Sequence, residues 1–312
     1  MGRPLRMFEP DKLYFVTARA IQGRLLLRPE ARVNDLVGGI IAKGQKKFSI
    51  RIYGLVVLSN HLHAVLGADK PQNISAFMQW VLSLIAKKVG KHIDWREKFW
   101  GRRFSAEPIL DDEAAKGRLT YILAHAQKEG LTARPELWPG LTCIPEVVHG
   151  VRRLFHWCDE TEMGRSKRRG DNRSEGQFKE RLGIDYERLP CWQGLDDAQY
   201  SKVIKALLEE AVALADELRA GKTGCLGAEA VVAQHPHDKP KQSKKSTRPL
   251  CHASTMEAYE AFRATYRAFV AAYREAAAAL RAGDVNVAFP RHAFLPPLGC
   301  GWVPASLPTA PA

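Results

Sequence analysis

The chain has 312 residues, 46% of them hydrophobic and 26% charged, so it can form a substantial core and is not globally disordered. Its formal net charge of +13 favours a polyanionic partner, and nucleic acid is preferred to membrane because no lipidation signal is present. No run is long and apolar enough to span a membrane, and no secretory segment follows the charged N-terminus. Six cysteines without a Cys-x-x-Cys pair exclude a zinc ribbon. We therefore expect a reduced, cytoplasmic protein with no membrane partner.

Strands and helices are predicted to alternate in the first half of the chain. Runs rich in apolar, β-branched and aromatic residues predict four strands, at 13–19, 48–58, 61–66 and about 104–110. Helical spacing of apolar residues, with an acidic first turn and a closing glycine in the last case, predicts helices at 29–43, 75–92 and 111–130. The order β-α-β-β-α-β-α indicates an α+β fold, a ferredoxin-like antiparallel sheet with helices on one face.

The motif Asn60-His61-Leu62-His63 interrupts an apolar strand. Residues two apart in a strand point to the same face, so His61 and His63 are expected to project side by side. Two neutral imidazoles on one face make half of a divalent-metal site. The alternative is a pair of core histidines, because the chain has ten histidines and a buried histidine with one backbone partner is commoner than a ligand. The apolar setting favours the metal, since buried polar rings are costly without partners.

The third predicted helix separates an apolar stripe from a polar group of side chains. Tyr121 and His125 are one helical turn apart, and Arg118 and Lys128 fall on the same side. A helical tyrosine is most often an ordinary core or boundary residue. A tyrosine between two cations and a histidine, away from the apolar stripe, is also suited to attack on a phosphate.

Residues 1–145, about half the chain, resemble the HUH-type single-tyrosine transposases that act on single-stranded DNA, in particular their REP-associated branch. Each matching motif is short, but the motifs occur in the same order and at the same spacing as in that family. The motifs are Arg3-Pro4-Leu5-Arg6, Tyr14-Phe15-Val16-Thr17, Asn60-His61-Leu62-His63, Trp100-Gly101-Arg102-Arg103-Phe104, and Tyr121-Ile122 followed by Lys128-Glu129-Gly130-Leu131.

The resemblance implies a role for each site residue. His61 and His63 correspond to the metal-binding pair, Tyr121 to the nucleophile, and Asn60 to a residue that orients the site. The third ligand in the family is usually a Gln or Asn four residues after the tyrosine; here it is His125, which could shift the preference from Mg²⁺ toward Mn²⁺ or softer ions. The cations expected to contact DNA, or alternatively to be solvated surface residues, are Arg3, Arg6, Arg102, Arg103, Arg118 and Lys128.

The expected activity is that of a single-strand DNA endonuclease and strand transferase that nicks near hairpins through a 5′-phosphotyrosine, with Mg²⁺ or Mn²⁺ as cofactor. Its partner is single-stranded or hairpin DNA, and it is a monomer or a homodimer. One alternative is a replication-initiator-like nickase, although the sequence has no helicase or second-tyrosine motif. Another is a domesticated nucleic-acid-binding protein that has the same fold and no cleavage activity.

The chain is expected to comprise a nuclease domain at 1–160, a basic linker at 161–180 and a mainly helical region at 181–312. Within that last region, periodicity predicts helices at 196–221 and 256–282 and a short helix within 178–190. A Lys/Pro-rich stretch near 235–254 reads as a second linker, and residues 289–298 as an extended tail.

Overall fold

The computed structural model describes residues 5–70, 72–222, 224–240 and 248–295. A four-stranded antiparallel sheet and three helices account for most of residues 13–128. The strands are β1 (Leu13–Arg19), β2 (Arg51–Leu58), β3 (His61–Gly67) and β4 (Ser105–Ile109). The helices are α1 (Ala31–Phe48), α2 (Gln72–His92) and α3 (Asp112–Lys128).

The strands lie in the order β2-β3-β1-β4, which is the ferredoxin-like arrangement predicted from the sequence. β2 and β3 form a hairpin through Ser59 and Asn60, and β1 lies between β3 and β4. The two crossover helices α1 and α2 cover one face of this sheet, as predicted. Helix α3 covers the opposite face, so the sheet is buried on both sides.

Two hydrophobic cores follow from the alternation of side chains along each strand. The first core lies between the sheet and helices α1 and α2, and its strand residues include Val16, Leu55 and Leu62. The second lies between the sheet and α3, and its strand residues include Phe15 and Val65. Because both faces pack against helices, β2 and β3 are almost continuously apolar, and the histidines of β3 are the exception.

The other α-helices and strands of the described residues follow α3 in the chain. The helices are α4 (Ile144–Val147), α5 (Glu160–Arg169), α6 (Asp197–Leu218), α7 (Ala228–Ala233) and α8 (Met256–Arg281). The strands are β5 (Phe155–Cys158) and β6 (Lys179–Leu182), which pair as an antiparallel hairpin. Among the described residues, no helix combines the length and the apolar character that crossing a membrane requires.

Helix α6 belongs to the second core. Asp196 forms a capping box with Gln199 at its start, as the acidic residues there predicted. Its apolar side packs against α3, and Gln127 of α3 donates a hydrogen bond of 2.7 Å to Asp216. Helix α6 therefore lies directly behind the helix that carries Tyr121.

Secondary structure occupies both ends of the range 161–180, which was predicted as a basic linker. Helix α5 occupies the first half of that range: Asp159 accepts a hydrogen bond at its start, and Gly170 ends it with φ +74°. Strand β6 occupies the start of the range 178–190, where a short helix was predicted. The sequence pattern did not predict either element because both are rich in polar residues. Helix α5 is held mainly by its caps and ion pairs and buries little of its surface.

The second predicted linker, at 235–254, is partly structured. Residues 241–247 lie outside the described residues, but the end of the stretch runs parallel to β4. His252 donates its backbone N–H to the carbonyl of Pro108 at 2.8 Å, and Leu110 donates to the carbonyl of His252 at 2.9 Å. Of the predicted extended tail, the described part ends at 295, and Ala293 forms a bridge with Met7.

The junction of α1 with β5 depends on a glycine. A β-carbon at Gly39 would collide with the backbone carbonyl oxygen of His156, which cannot move without moving β5. We expect Gly39→Ala to lower the free energy of unfolding by about 1–3 kcal/mol because of this overpacking. The matched control is Gly117→Ala in α3, where nothing lies within 4 Å; it should raise stability by about 1 kcal/mol through helix propensity alone. Urea denaturation of both variants checks this, and stabilisation by both substitutions would contradict the close approach.

Candidate active site

The two histidines of β3 point toward α3. Leu62, between them, points to the first core. The register of β3 against β1 places Thr17 opposite His63. Phe15, two residues earlier on the same face of β1, stacks on the His63 ring with a centroid distance of 5.0 Å.

Each of these histidines has a polar neighbour at its Nδ1 atom. Asn60 Oδ1 lies 2.5 Å from His61 Nδ1, and Thr17 Oγ1 lies 2.8 Å from His63 Nδ1. Asn60 can only accept at this oxygen, so His61 Nδ1 carries its hydrogen and Nε2 has a free lone pair. Contacts of this kind fix the tautomer and the ring orientation of metal-binding histidines.

His125 brings a third imidazole from α3. Its Nε2 lies 2.7 Å from His61 Nε2, and its ring centroid lies 4.7 Å from that of His63. One ring nitrogen from each of the three histidines lies within 4.8 Å of the other two. Within the described part of the chain, Nδ1 of His125 is buried and has no hydrogen-bond partner. Three neutral imidazoles with a converging donor set, one of them carrying an unpartnered buried nitrogen, fit a divalent cation.

The surroundings keep all three imidazoles neutral. Burial, together with the nearby Arg19 and Lys128, lowers the pKa of His61 to about 3. Burial, the neighbouring histidines and Lys128 also hold the pKa values of His63 and His125 well below the usual range. Neutral imidazole is the form that coordinates a metal.

Tyr121 lies against this cluster, one helical turn before His125. Its ring centroid is 4.7 Å from that of His125 and 5.5 Å from that of His63. Phe15 meets the phenol edge-on at 5.8 Å, so the ring is held between strand β1 and its own helix. One chain therefore supplies both the sheet histidines and the helix tyrosine.

Two cations flank the phenol. Lys128 Nζ lies 4.6 Å and the Arg118 guanidinium 5.2 Å from the ring centroid of Tyr121. Burial raises the pKa of Tyr121, and Lys128 and Arg118 oppose this rise because positive charge favours the phenolate. Both residues that were predicted to face a phosphate on this helix therefore lie beside the tyrosine.

The other predicted DNA-contacting residues lie elsewhere. Arg102 and Arg103 line a cavity beside β4, together with Arg6. The Arg6 guanidinium also stacks on Phe104 at 3.6 Å and donates to its carbonyl at 2.8 Å. Arg3 lies outside the described residues.

Sequence reasoning missed several neighbours of the site. Thr17 and Phe15 belong to a motif of the resemblance, but their contacts with His63 depend on strand register, which that motif does not give. Glu107 faces the same side of the sheet, opposite Phe15 in the register of β1 with β4. His252 meets Phe15 edge-on at 5.3 Å. It comes from a segment more than 100 residues away, and no local signal marks it.

This geometry coincides with a match to a known family. The profile of the family described as "Transposase IS200 like" matches residues 26–123. Residues 26–123 are therefore similar to this family. The match covers the β2–β3 hairpin with both histidines and most of α3 with Tyr121, and it confirms the transposase resemblance predicted from the sequence. His125 and Lys128 follow just after it.

Two solved structures are similar to parts of this chain. One is the structure of a REP-associated tyrosine transposase bound to a REP hairpin: 18% identity, a TM-score of 0.42, and coverage of 48% of this chain and 86% of that one. The other is a protein assigned as a transposase from Deinococcus radiodurans: 16% identity, a TM-score of 0.28, and coverage of 38% and 90%. Both TM-scores are too low to establish a shared fold. No curated protein matches the chain.

The buried histidines predict a loss of stability in acid. The unfolded chain binds protons at its histidines below about pH 6.5, whereas the folded site does not, so stability should fall as the pH falls from 7 to 5. In His125→Gln one such group is removed, and the slope should be shallower by about 1 kcal/mol per pH unit. Urea denaturation of both proteins with EDTA present measures the slopes. Equal slopes would show that His125 takes up a proton in the folded protein.

Proposed function

We propose that the protein is a metal-dependent endonuclease and strand transferase for single-stranded DNA, a transposase that nicks near DNA hairpins through a 5′-phosphotyrosine. The observation that carries this proposal is the convergence, within one chain, of Tyr121 with the imidazoles of His61, His63 and His125. The IS200-like match supports it independently, because the profile spans the histidine pair and the tyrosine.

The three histidines would hold the cofactor, Mg²⁺ or Mn²⁺. When bound, such a cation supplies Lewis-acid polarisation of a non-bridging phosphate oxygen. Asn60 and Thr17 keep the rings of His61 and His63 turned toward it through their contacts with Nδ1. Phe15 stacks on His63 and excludes water from one side of the site.

Tyr121 is the proposed nucleophile. Its phenolic proton passes to water, and its oxygen forms a bond to phosphorus while the bond from phosphorus to the 3′ oxygen breaks. The products are a 5′-phosphotyrosine and, once the leaving oxygen has taken a proton, a free 3′-hydroxyl. The ester retains the energy of the broken bond, so a later 3′-hydroxyl can reverse the step and join strands.

Arg118 and Lys128 are proposed to assist Tyr121 electrostatically. A phenol with a raised pKa is a poor nucleophile near neutral pH, and both cations favour its ionised form. The same charges lie where a phosphate that approaches the phenol would be attracted. Lys128 follows His125 by three residues on α3, so one helix positions the nucleophile, a ligand and both cations.

The proposed partner is single-stranded DNA flanking a hairpin, and we place the enzyme in the REP-associated branch on its sequence motifs. A single strand can present its phosphate to a site between a sheet and a helix in an orientation that a regular duplex does not allow. The net charge of +13 supplies the attraction to a polyanion.

The nucleophile is tested by Tyr121→Phe. Wild-type protein, incubated with Mn²⁺ and a 3′-labelled strand that flanks a hairpin, should form a covalent adduct with the labelled 3′ fragment that persists in denaturing gels. Tyr121→Phe should form none and should bind the strand with similar affinity, because only the phenolic oxygen is lost. Tyr273→Phe, on α8, is the matched control and should form the adduct. Binding without adduct by the wild type would instead favour a DNA-binding protein that does not cleave.

The proposed set of metal ligands is tested by the substitution His125→Gln. An amide oxygen is a harder ligand than imidazole, so this variant should retain cleavage and show a larger ratio of the Mg²⁺-supported to the Mn²⁺-supported rate, by about tenfold. His63→Ala, which removes a ligand and leaves a gap beside Phe15, should lose activity with both ions. Single-turnover adduct formation in each metal measures the ratios. An unchanged ratio would remove His125 from the proposed ligand set.

A further inference from the structure

One segment of the second half of the chain contacts the supports of both parts of the candidate metal site. This bridging segment, residues 226–238, contains α7 and lies outside residues 26–123, which the family profile matches. Its first end is bonded next to the end of α3, which carries His125. Its second end is bonded to the loop at residues 20–28, which lies against the turn that precedes His61. The segment therefore connects a helix and a strand that each contribute a ligand.

The first end of the bridging segment is held by backbone hydrogen bonds. Leu226 donates its N–H to the carbonyl of Gly130 at 2.9 Å. Gly227 donates its N–H to the carbonyl of Leu131 at 3.0 Å. Val231, in the middle of the segment, is fully buried in the second core, in which α3 also packs. Two hydrogen bonds and one apolar side chain therefore fix this end beside the helix.

The bonded residues lie just past the turn of α3 that carries His125. That turn is the last of the helix, which ends at Lys128. Helix ends fray readily because their last carbonyls have no partner within the helix. Since Gly130 and Leu131 follow the turn within three residues, the bridging segment limits the motion of the imidazole on it.

The second end is held by two arginines of the loop. Arg28 donates from its guanidinium to the carbonyls of Val232 and Gln234, at 3.0 and 3.1 Å. These carbonyls lie at the C-terminal end of α7, where a cation is favoured. Arg24 donates to the carbonyl of His237 at 2.5 Å. Three main-chain carbonyls of the bridging segment therefore bind the loop through two guanidinium groups.

The loop in turn orients the side chain of Asn60. The Gly23 carbonyl accepts a hydrogen bond of 3.1 Å from Asn60 Nδ2, so Oδ1 of the same amide faces His61 Nδ1 at 2.5 Å. The Gly23 carbonyl belongs to a left-handed turn, in which Gln22 and Gly23 have φ values of +54° and +72°. A residue other than glycine is uncommon in that conformation and is held there by its surroundings.

Backbone hydrogen bonds also join the loop to the turn between β2 and β3. Ala20 donates to the carbonyl of Asn60 at 2.8 Å, and Leu27 donates to the carbonyl of Ser59 at 2.8 Å. A shift of the loop would therefore shift the residue whose amide fixes the ring of His61.

We propose that the bridging segment is a positioning element of the metal site and that Arg24 and Arg28 are its positioning residues. It ties α3 to the β2–β3 turn. This keeps the Nε2 atoms of His61 and His125, which lie 2.7 Å apart, together as ligands for one cation. The inference rests on the proposed function for that cation, but it concerns metal binding and needs no cleavage.

The first test is the Mn²⁺ affinity of the full-length protein, measured from the electron paramagnetic resonance signal of free Mn²⁺. Loss of a residue that orients a ligand costs about ten- to a hundredfold in metal affinity. Because Arg28 acts one step further from the ligand, Arg28→Gln should weaken Mn²⁺ binding by about three- to tenfold. Arg188→Gln is the matched control and should bind Mn²⁺ as wild type does. Like Arg28, which pairs with Glu30, Arg188 loses a carbonyl contact, to Leu195, and an ion pair, with Asp197.

A double-mutant cycle tests whether the two ends act through one segment. Val231→Ala should loosen the end beside α3 and weaken Mn²⁺ binding by a similar factor. The double variant with Arg28→Gln should bind little more weakly than either single variant, because a segment released at one end no longer ties its two partners together. If the two losses multiply instead, the residues act independently and the proposal is wrong.

Amide hydrogen exchange without metal tests the connection itself. Arg28→Gln should raise exchange by about tenfold at the N–H of Leu27, beside the substitution, and at those of Leu226 and Gly227, at the far end of the segment. Arg188→Gln should leave exchange at these three positions unchanged.

The outcomes separate this proposal from the proposed function. If Arg28→Gln binds Mn²⁺ as wild type does, or if Arg188→Gln weakens binding as much, the positioning role is wrong even when the Tyr121 adduct forms. If Mn²⁺ affinity depends on Arg28 while no adduct forms, the positioning role is supported and the cleavage proposal fails. If wild type binds no Mn²⁺, the metal site fails. Exchange at Leu226 and Gly227 then decides the bridging segment alone: a rise in Arg28→Gln supports the connection, and no rise overturns it.

Discussion

The pairing of β1 with β3 is the constraint on which the candidate site depends. It turns His61 and His63 toward α3, places Thr17 at the Nδ1 atom of His63, and stacks Phe15 on the same ring. A slip of one residue would turn both histidines into the first core, which is built mainly from apolar side chains. That slip would be costly because helices pack on both faces of the sheet, and every apolar side chain of the strand would change faces as well.

Helix α3 completes the site. It is held by a cap at its first turn and by helix packing on the side that faces away from the sheet. Asp111 caps its first turn through the N–H of Ala114 and also accepts from the N–H of Ser254, which ties the helix to the segment beside β4. Helix α6 packs behind it. The resulting site is buried and dominated by cations and neutral imidazoles. This is the electrostatic setting that a phosphodiester, and not a cationic or neutral substrate, would favour.

The second half of the chain is part of this architecture. Helix α6 fills the second core, residues around His252 extend the sheet beside β4, and α8 forms one wall of the arginine-lined cavity. The segment at residues 248–254 contacts the start of α3 through Ser254 and lines the cavity beside β4 through Arg248.

The sequence by itself determined the alternation of strands and helices, the shared face of His61 and His63, and the one-turn spacing of Tyr121 and His125. These follow from the local periods of strand and helix, which need no knowledge of the partner element. It did not indicate α5 and β6, whose residues are mostly polar; α5 is held by its caps and ion pairs, and β6 by its pairing with β5. Only the tertiary structure decided that α3 packs on the histidine face, that Thr17 meets His63, and that Glu107 and Arg248 share a cavity. Those contacts join residues distant in the chain, and strand register and helix docking, which set them, are properties of the whole core.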